Sequence, residues 1–159
     1  MKAKDLAPYI IARAYAAGDG ITNKKLQKLL YYVKAWGLVY FADGVVDDDF
    51  EAWVHGPVCP SVSVAYKEFG YNNIVMDFGD KTVDEYIAYL RDNILKEICQ
   101  DMLDLVDAVF EKYGALTSLH LELLIHQEFP WRQARGTLSP SDTSHNIITP
   151  ETMRAFYSA

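Results

Sequence analysis

The sequence contains little cysteine and no long apolar run. The two cysteines, Cys59 and Cys99, lie far apart and form no C-x-x-C pair, which argues against a disulfide scaffold and a thiolate zinc site. No segment approaches the roughly 20 apolar residues that a membrane span needs, and Met1–Asp5 lacks the pattern of a signal peptide. We therefore expect a soluble, cytoplasmic protein, and 159 residues predict a single domain over 1–159.

The common catalytic motifs are also missing. The sequence has no G-x-S-x-G, no P-loop and no G-x-G-x-x-G. His120 and His126 lie six positions apart, so they face different sides of a helix and do not form a metal-binding pair. His55 and Cys59 flank Gly56-Pro57, which is typical of a rigid corner rather than of a catalytic pair. We predict no enzymatic activity, no metal and no cofactor.

Negative charge dominates the sequence but is unevenly distributed. The net charge is -7, from 15 basic and 22 acidic residues. Residues 1–41 carry seven bases and two acids, residues 42–111 carry four bases and sixteen acids, and residues 112–159 carry four of each. Nucleic acid is therefore an improbable general partner, although the acidic middle could attract a basic protein.

Apolar periodicity and capping residues predict a mainly α fold of about six or seven helices. Thr22 is a natural N-cap for the strongest helix, whose apolar face leaves Lys24, Lys25, Lys28 and Lys34 mostly to one side. Alternation over 50–54 predicts one short extended segment, which Gly56-Pro57 should end. The predicted helices are 5–17, 22–40, 60–69, a helix from 82, 94–113, 117–127 and 149–157, with a turn at 131–135.

Three segments together resemble a known family. They are Ile21-Thr-Asn-Lys-Lys-Leu-Gln-Lys-Leu-Leu-Tyr-Tyr-Val-Lys-Ala-Trp36, Phe50-Glu-Ala-Trp-Val-His-Gly-Pro-Val-Cys-Pro60, and His126 to Trp131 with Ile148 to Met153. Their order and spacing resemble the Panacea domain family, also called the SocA-like antitoxin or phage-associated GepA-type family. The resemblance covers nearly the whole chain, from about Lys4 to Tyr157.

The resemblance implies an antitoxin of a bacterial or phage toxin–antitoxin pair. In such a pair the antitoxin neutralises a cognate toxin protein by binding it, without catalysis. One branch of the family instead acts as an adaptor that delivers its toxin to the ClpXP protease. Neither mode needs an active site, in agreement with the missing catalytic motifs.

Two other classes of function stay open at this point. A DNA-binding autoregulator would use the polar cluster Asn23, Lys24, Lys25, Gln27 and Lys28, although the net charge of -7 disfavours it. A small hydrolase or nucleotide enzyme would use His55, Cys59 or His126, and would require a pocket with convergent polar groups and a perturbed histidine.

The toxin contact is predicted at the acidic loop after the strongest helix. Toxins that act on RNA or nucleotides tend to be basic, and a cluster of carboxylates would steer them towards the antitoxin. The predicted partner-binding residues are Asp47, Asp48, Asp49, Trp53 and His55. The sequence does not indicate the identity of the toxin or the oligomeric state.

Overall fold

The computed structural model describes all 159 residues and confirms the mainly helical class. Eight α-helices are present, with two 3₁₀ turns at Lys67–Phe69 and Leu95–Glu97. None of the helices combines the length and the apolarity that crossing a bilayer requires. The helices are α1 Ala3–Ala16, α2 Asn23–Tyr40, α3 Pro60–Ala65, α4 Val83–Asn93, α5 Gln100–Tyr113, α6 Ser118–Gln127, α7 Phe129–Arg135 and α8 Pro150–Ser158.

Side-chain caps begin several helices where the sequence predicts them. The Thr22 hydroxyl accepts a hydrogen bond from the Lys25 N–H at the start of α2, and Thr149 caps α8 in the same way. The start of α4 is a complete capping box, in which Thr82 and Glu85 satisfy each other's backbone N–H groups. These local bonds explain why the three start positions could be predicted from short motifs.

Four elements differ from the prediction. Helix α3 ends at Ala65 instead of residue 69, because Lys67–Phe69 is a separate 3₁₀ turn. Helix α1 begins at Ala3 instead of Asp5, because the carboxylate of Asp48 accepts the Ala3 N–H at 2.7 Å from a distant loop. Helix α5 begins at Gln100 instead of residue 94, since the 3₁₀ turn separates it from α4. The turn expected at 131–135 is the helix α7, which has Pro130 in its first turn, where a missing N–H costs no hydrogen bond.

The extended segment at 50–54 is part of a small antiparallel sheet. Strand β1, Phe50–Trp53, pairs with β2, Gly56–Val58, and with β3, Ile147–Ile148, in the order β2-β1-β3. Gly56-Pro57 therefore continues the backbone as the second strand of a hairpin instead of ending it. Proline is tolerated there because β2 is an edge strand.

Helix α2 lies at the centre of the molecule. It packs against α1, α3, α5, α6, α8 and the β1–β2 hairpin, so almost its whole circumference is buried. Lys28 and Lys34, which the pattern placed mostly off the apolar face, are only 2% and 4% exposed. Around this helix one hydrophobic core of 37 residues extends from Ala3 to Tyr157.

A buried polar network attaches the C-terminal helix to α2. The Glu128 carboxylate accepts hydrogen bonds from Tyr32 at 2.7 Å and from Tyr157 at 2.9 Å. Tyr31 and Tyr157 also share a hydroxyl contact of 3.2 Å, and Tyr32 stacks on Tyr113. Burial raises the pKa of Glu128 more than the two tyrosine hydrogen bonds lower it.

This raised pKa makes the stability of the fold depend on pH. The folded chain holds the Glu128 proton more tightly than the unfolded chain, so stability falls as the pH rises from the ordinary carboxyl range through the raised pKa. Glu128→Gln keeps an oxygen for both tyrosines without the charge. We expect it to raise the melting temperature at about pH 8, and the gain to shrink towards pH ~4. Glu97 is exposed, so Glu97→Gln is the control. A lower melting temperature for Glu128→Gln at every pH would contradict this explanation.

Candidate functional site

A cleft of about 390 Å³ opens beside the β1–β2 hairpin. We call it the Trp53 cleft. Its walls come from the start of α2, the hairpin, the segment after α3 and the segment before β3. The lining residues are Asn23, Lys24, Gln27, Trp53, Val54, His55, Val58, Ser63, Gly70, Tyr71, Thr143, Ser144 and His145.

The hairpin that carries Trp53 and His55 is attached firmly to α7. The Trp131 indole donates its N–H to the Trp53 carbonyl at 3.0 Å, and Arg135 donates to the Ala52 carbonyl at 3.0 Å. Val54 and His55 form the two-residue turn between the strands, and Gly56 follows at φ +124°, a backbone conformation that favours glycine. The rigid corner inferred from the sequence is therefore a tight hairpin.

Two carboxylates each contact a histidine of the Trp53 cleft. His55 Nδ1 lies 3.2 Å from a Glu122 oxygen, which is also 3.0 Å from Lys24 Nζ. His145 Nδ1 lies 2.8 Å from a Glu51 oxygen, which also accepts the Trp53 indole N–H at 2.8 Å. In both histidines Nε2 is therefore on the side of the ring away from the carboxylate. Burial raises the pKa of Glu122, but Lys24 and His55 outweigh this effect and leave it below its ordinary value.

Lys28 and Gln27 lie beneath this part of the surface. The Gln27 side-chain oxygen accepts the Cys59 N–H at 2.9 Å, which joins α2 to the end of the hairpin. Lys28 Nζ donates to the Lys24 carbonyl at 3.2 Å and has no carboxylate within 4.0 Å. Burial and the neighbouring Lys24 lower the pKa of Lys28 to about 8. These contacts were not predicted, because helical periodicity alone assigns lysine to solvent.

His126 packs inside the structure instead of lining the Trp53 cleft. Its ring stacks on Trp131 with the centroids 4.0 Å apart, and its Nε2 is buried without a hydrogen-bond partner. Burial lowers the pKa of His126. His126 is therefore a packed structural histidine with one unsatisfied ring nitrogen.

The arrangement disfavours a thiol-based active site. The enzyme hypothesis required a pocket with polar groups and a histidine of shifted pKa. The Trp53 cleft has the polar groups and His126 has the shifted pKa. Cys59, however, is buried outside the cleft. Burial raises the pKa of its thiol, which disfavours the nucleophilic thiolate. No three histidine, cysteine, aspartate or glutamate side chains come together in a way that would hold a metal ion.

The polar cluster proposed for DNA binding is mostly occupied within the protein. The Asn23 side chain donates to the Ser63 carbonyl, and Lys25 donates to the Gly114 carbonyl. Gln27 and Lys28 are buried. Lys24 is paired with Glu122 at 3.0 Å. A base-reading surface needs such groups to be free for base edges or phosphates, so the structure disfavours this cluster as one.

The five predicted partner-binding residues fall into two groups. Trp53 and His55 line the Trp53 cleft. Asp47, Asp48 and Asp49 form a loop at the start of α1, where Asp47 contacts the N-terminal amine at 3.1 Å. The buried Lys34 amine donates to the carbonyls of Val46, Asp47 and Asp48 and so holds the loop from below.

Helix α3 lies between these two groups. The Ser61 hydroxyl donates to Asp48 at 3.3 Å, and Ser63 lines the cleft. The acidic loop and the Trp53 cleft are thus connected through α3, whose Ser61 and Ser63 point to different faces of the helix. Sequence reasoning missed Tyr71, Glu122 and His145, which approach the hairpin from distant parts of the chain and carry no local signal of doing so.

Comparisons with known proteins identify the family of this chain. The family described as "Antitoxin SocA-like, Panacea domain" matches residues 26–132, which include most of α2 and the whole hairpin. The chain is 28% identical over 130 residues to a protein named Antitoxin SocA from Caulobacter vibrioides (strain NA1000 / CB15N). That alignment covers 81% of this chain and 68% of the relative. No solved structure matches the chain.

Proposed function

Since this chain belongs to the SocA-like antitoxin family with a Panacea domain, we propose that it neutralises a cognate toxin protein by binding it directly. The family match carries this proposal. It spans most of the α2 helix and the whole β1–β2 hairpin, which lie at the centre of the fold. Direct binding needs an accessible surface rather than a catalytic centre, and the exposed residues of the acidic loop and of the Trp53 cleft are the candidates for it.

Growth rescue tests the proposal in cells. The protein encoded beside this chain is expressed alone and together with the chain, and growth is measured. We expect toxicity from the neighbour alone and recovery on co-expression, with the neighbour retained in a complex. A neighbour that is not toxic and does not bind this chain would contradict the antitoxin function.

A protease mutant separates sequestration from delivery to a protease. An adaptor for a ClpXP-type protease would lower the amount of toxin, and the rescue would be lost in cells that lack the protease. Sequestration leaves the toxin level unchanged and the rescue intact without the protease. We propose sequestration in the cytoplasm, and loss of rescue in the protease mutant would identify the adaptor mechanism instead.

The toxin contact is proposed to include Asp47, Asp49, Trp53 and His55. Asp47 and Asp49 are exposed, and the His55 side chain is 65% exposed. Asp48 contributes less, because its carboxylate is already bonded to Ala3 N–H and to Ser61. Exposed carboxylates at the rim of an interface chiefly accelerate association with a basic partner.

Reversing the charge of the acidic loop should slow toxin binding. We expect Asp47→Lys with Asp49→Lys to lower the association rate about tenfold or more at low salt, and less at high salt. Asp80→Lys with Asp92→Lys makes the same change of charge on exposed residues elsewhere and is the matched control. Stopped-flow measurement of both double variants checks this. Equal slowing in both would show that net charge, and not this loop, steers the toxin.

A further inference from the structure

We propose that the Trp53 cleft binds a mononucleotide, with the base against Trp53 and Tyr71 and the phosphate beside Lys24 at the start of α2. The inference concerns a small-molecule site that shares Trp53 and His55 with the proposed toxin contact, and it is tested without any toxin. A volume of about 390 Å³ lies within the usual range for small-molecule sites of roughly 300–1,000 Å³.

The aromatic walls suit a planar ring. The indole N–H of Trp53 is bonded to Glu51 at 2.8 Å, so the polar atom is satisfied internally and the partly buried ring is left to line the cleft. Tyr71 lines the cleft too and is 94% exposed. Packing within this chain does not account for an aromatic ring at that position, whereas stacking on a base does.

The start of α2 concentrates positive charge at one end of the cleft. Its first turn contains no acidic residue and carries Lys24 and Lys25, and the N-terminal end of a helix itself attracts anions. Of Lys24, Lys25 and Lys28, only Lys24 has a carboxylate within 4.0 Å. Lys28 is buried with one hydrogen bond, and the Glu122 carboxylate offsets only part of the cost of burying its charge.

The two histidines provide additional phosphate-binding groups. The side chains of His55 and His145 are 65% and 82% exposed and line the cleft. Their Nδ1 atoms contact Glu122 and Glu51, neither of which lines the cleft. The Nε2 atoms therefore remain free to donate to an anion when the rings are protonated. The cleft contains no cysteine thiol, so the site binds the nucleotide without a thiol-dependent reaction.

Isothermal titration of the purified full-length chain tests this site without any toxin. The probes are AMP, GMP, CMP and UMP, with adenosine as the ligand that lacks phosphate and inorganic phosphate as the ligand that lacks a base. We expect at least one nucleotide to bind with a Kd of about 1 mM or lower. Adenosine and phosphate should bind about tenfold more weakly or worse, because each keeps only half of the contacts.

Variants at the two ends of the cleft make the test specific. Tyr71→Ala alters a fully exposed side chain that the fold does not need, and Lys24→Ala removes the positive charge. Each should weaken nucleotide binding about tenfold, and Lys24→Arg should restore it. Tyr40→Ala and Lys112→Ala, an exposed aromatic and a lysine that do not line the cleft, are the matched controls and should bind as the unmodified chain does.

Three outcomes would overturn the proposal. They are no binding of any of the four nucleotides, equal binding of inorganic phosphate alone, and equal weakening by the control variants. None of them bears on toxin neutralisation, which is measured separately. A failure to rescue growth would likewise leave the nucleotide result unaffected.

Discussion

Trp131→Ala is expected to destabilise the fold by roughly 3–5 kcal/mol, the range typical of removing a large buried aromatic side chain. Trp131 is 8% exposed, stacks on His126 and bonds to the Trp53 carbonyl through its indole N–H. The substitution therefore creates a cavity and also releases the hairpin that carries Trp53 and His55. Urea unfolding followed by circular dichroism measures the loss.

Trp131→Phe separates the two contributions. Phenylalanine keeps a ring against His126 but loses the hydrogen bond to the Trp53 carbonyl, so we expect a smaller loss of about 1–2 kcal/mol. Toxin binding should fall more than stability alone explains in Trp131→Ala, at a temperature where the variant is still folded. A Trp131→Ala variant within about 0.5 kcal/mol of the unmodified chain would contradict the anchoring role of this indole.

Lys28→Met is expected to stabilise the fold at neutral pH. The pKa of Lys28 is about 8 in the folded chain, against roughly 10.4 for an ordinary lysine. Because the folded chain holds this proton less tightly, the charged amine opposes folding at pH ~7 by about 3 kcal/mol, and the penalty falls as the pH rises above the folded pKa. Methionine has a similar length and no charge, so the expected gain is roughly 1–3 kcal/mol.

The pH dependence distinguishes this electrostatic gain from better packing. The advantage of Lys28→Met should shrink strongly between about pH 7 and pH 10, whereas a packing effect would persist. Lys24→Met, which removes a partly exposed lysine paired with Glu122, is the control and should give no comparable gain. A destabilised Lys28→Met variant at pH ~7 would mean that the amine has a favourable partner which the contacts described above do not include. A residue kept at a cost to stability is typical of a functional site.

The elements that could be predicted are those governed by neighbours in sequence. The caps at Thr22, Thr82 and Thr149 act within one helical turn, and apolar spacing indicated most of the helices. The second strand of the hairpin could not be predicted, because Gly56-Pro57 is typical of a chain break and β2 exists only through its pairing with β1. The start of α1 likewise depends on Asp48, which is far along the chain.

The burial of Lys28 and Lys34 shows where helical periodicity fails to predict which side chains are exposed. A pattern with one apolar stripe describes a helix at a surface, whereas α2 has neighbours on nearly every side. The buried Tyr31, Tyr32 and Ala35 lie outside the stripe of leucines, and that wider apolar distribution was the available signal. Trp53 and His55 line the Trp53 cleft, and its other walls, which include Tyr71 and His145, approach through tertiary packing.

We propose that this chain neutralises its toxin by binding alone. The most direct measurement is a titration of the purified chain into an assay of the toxin's own activity, with no protease present. We expect inhibition to be complete at a fixed stoichiometric ratio and the inhibited toxin to remain intact. Full toxin activity in the presence of excess chain would contradict direct neutralisation.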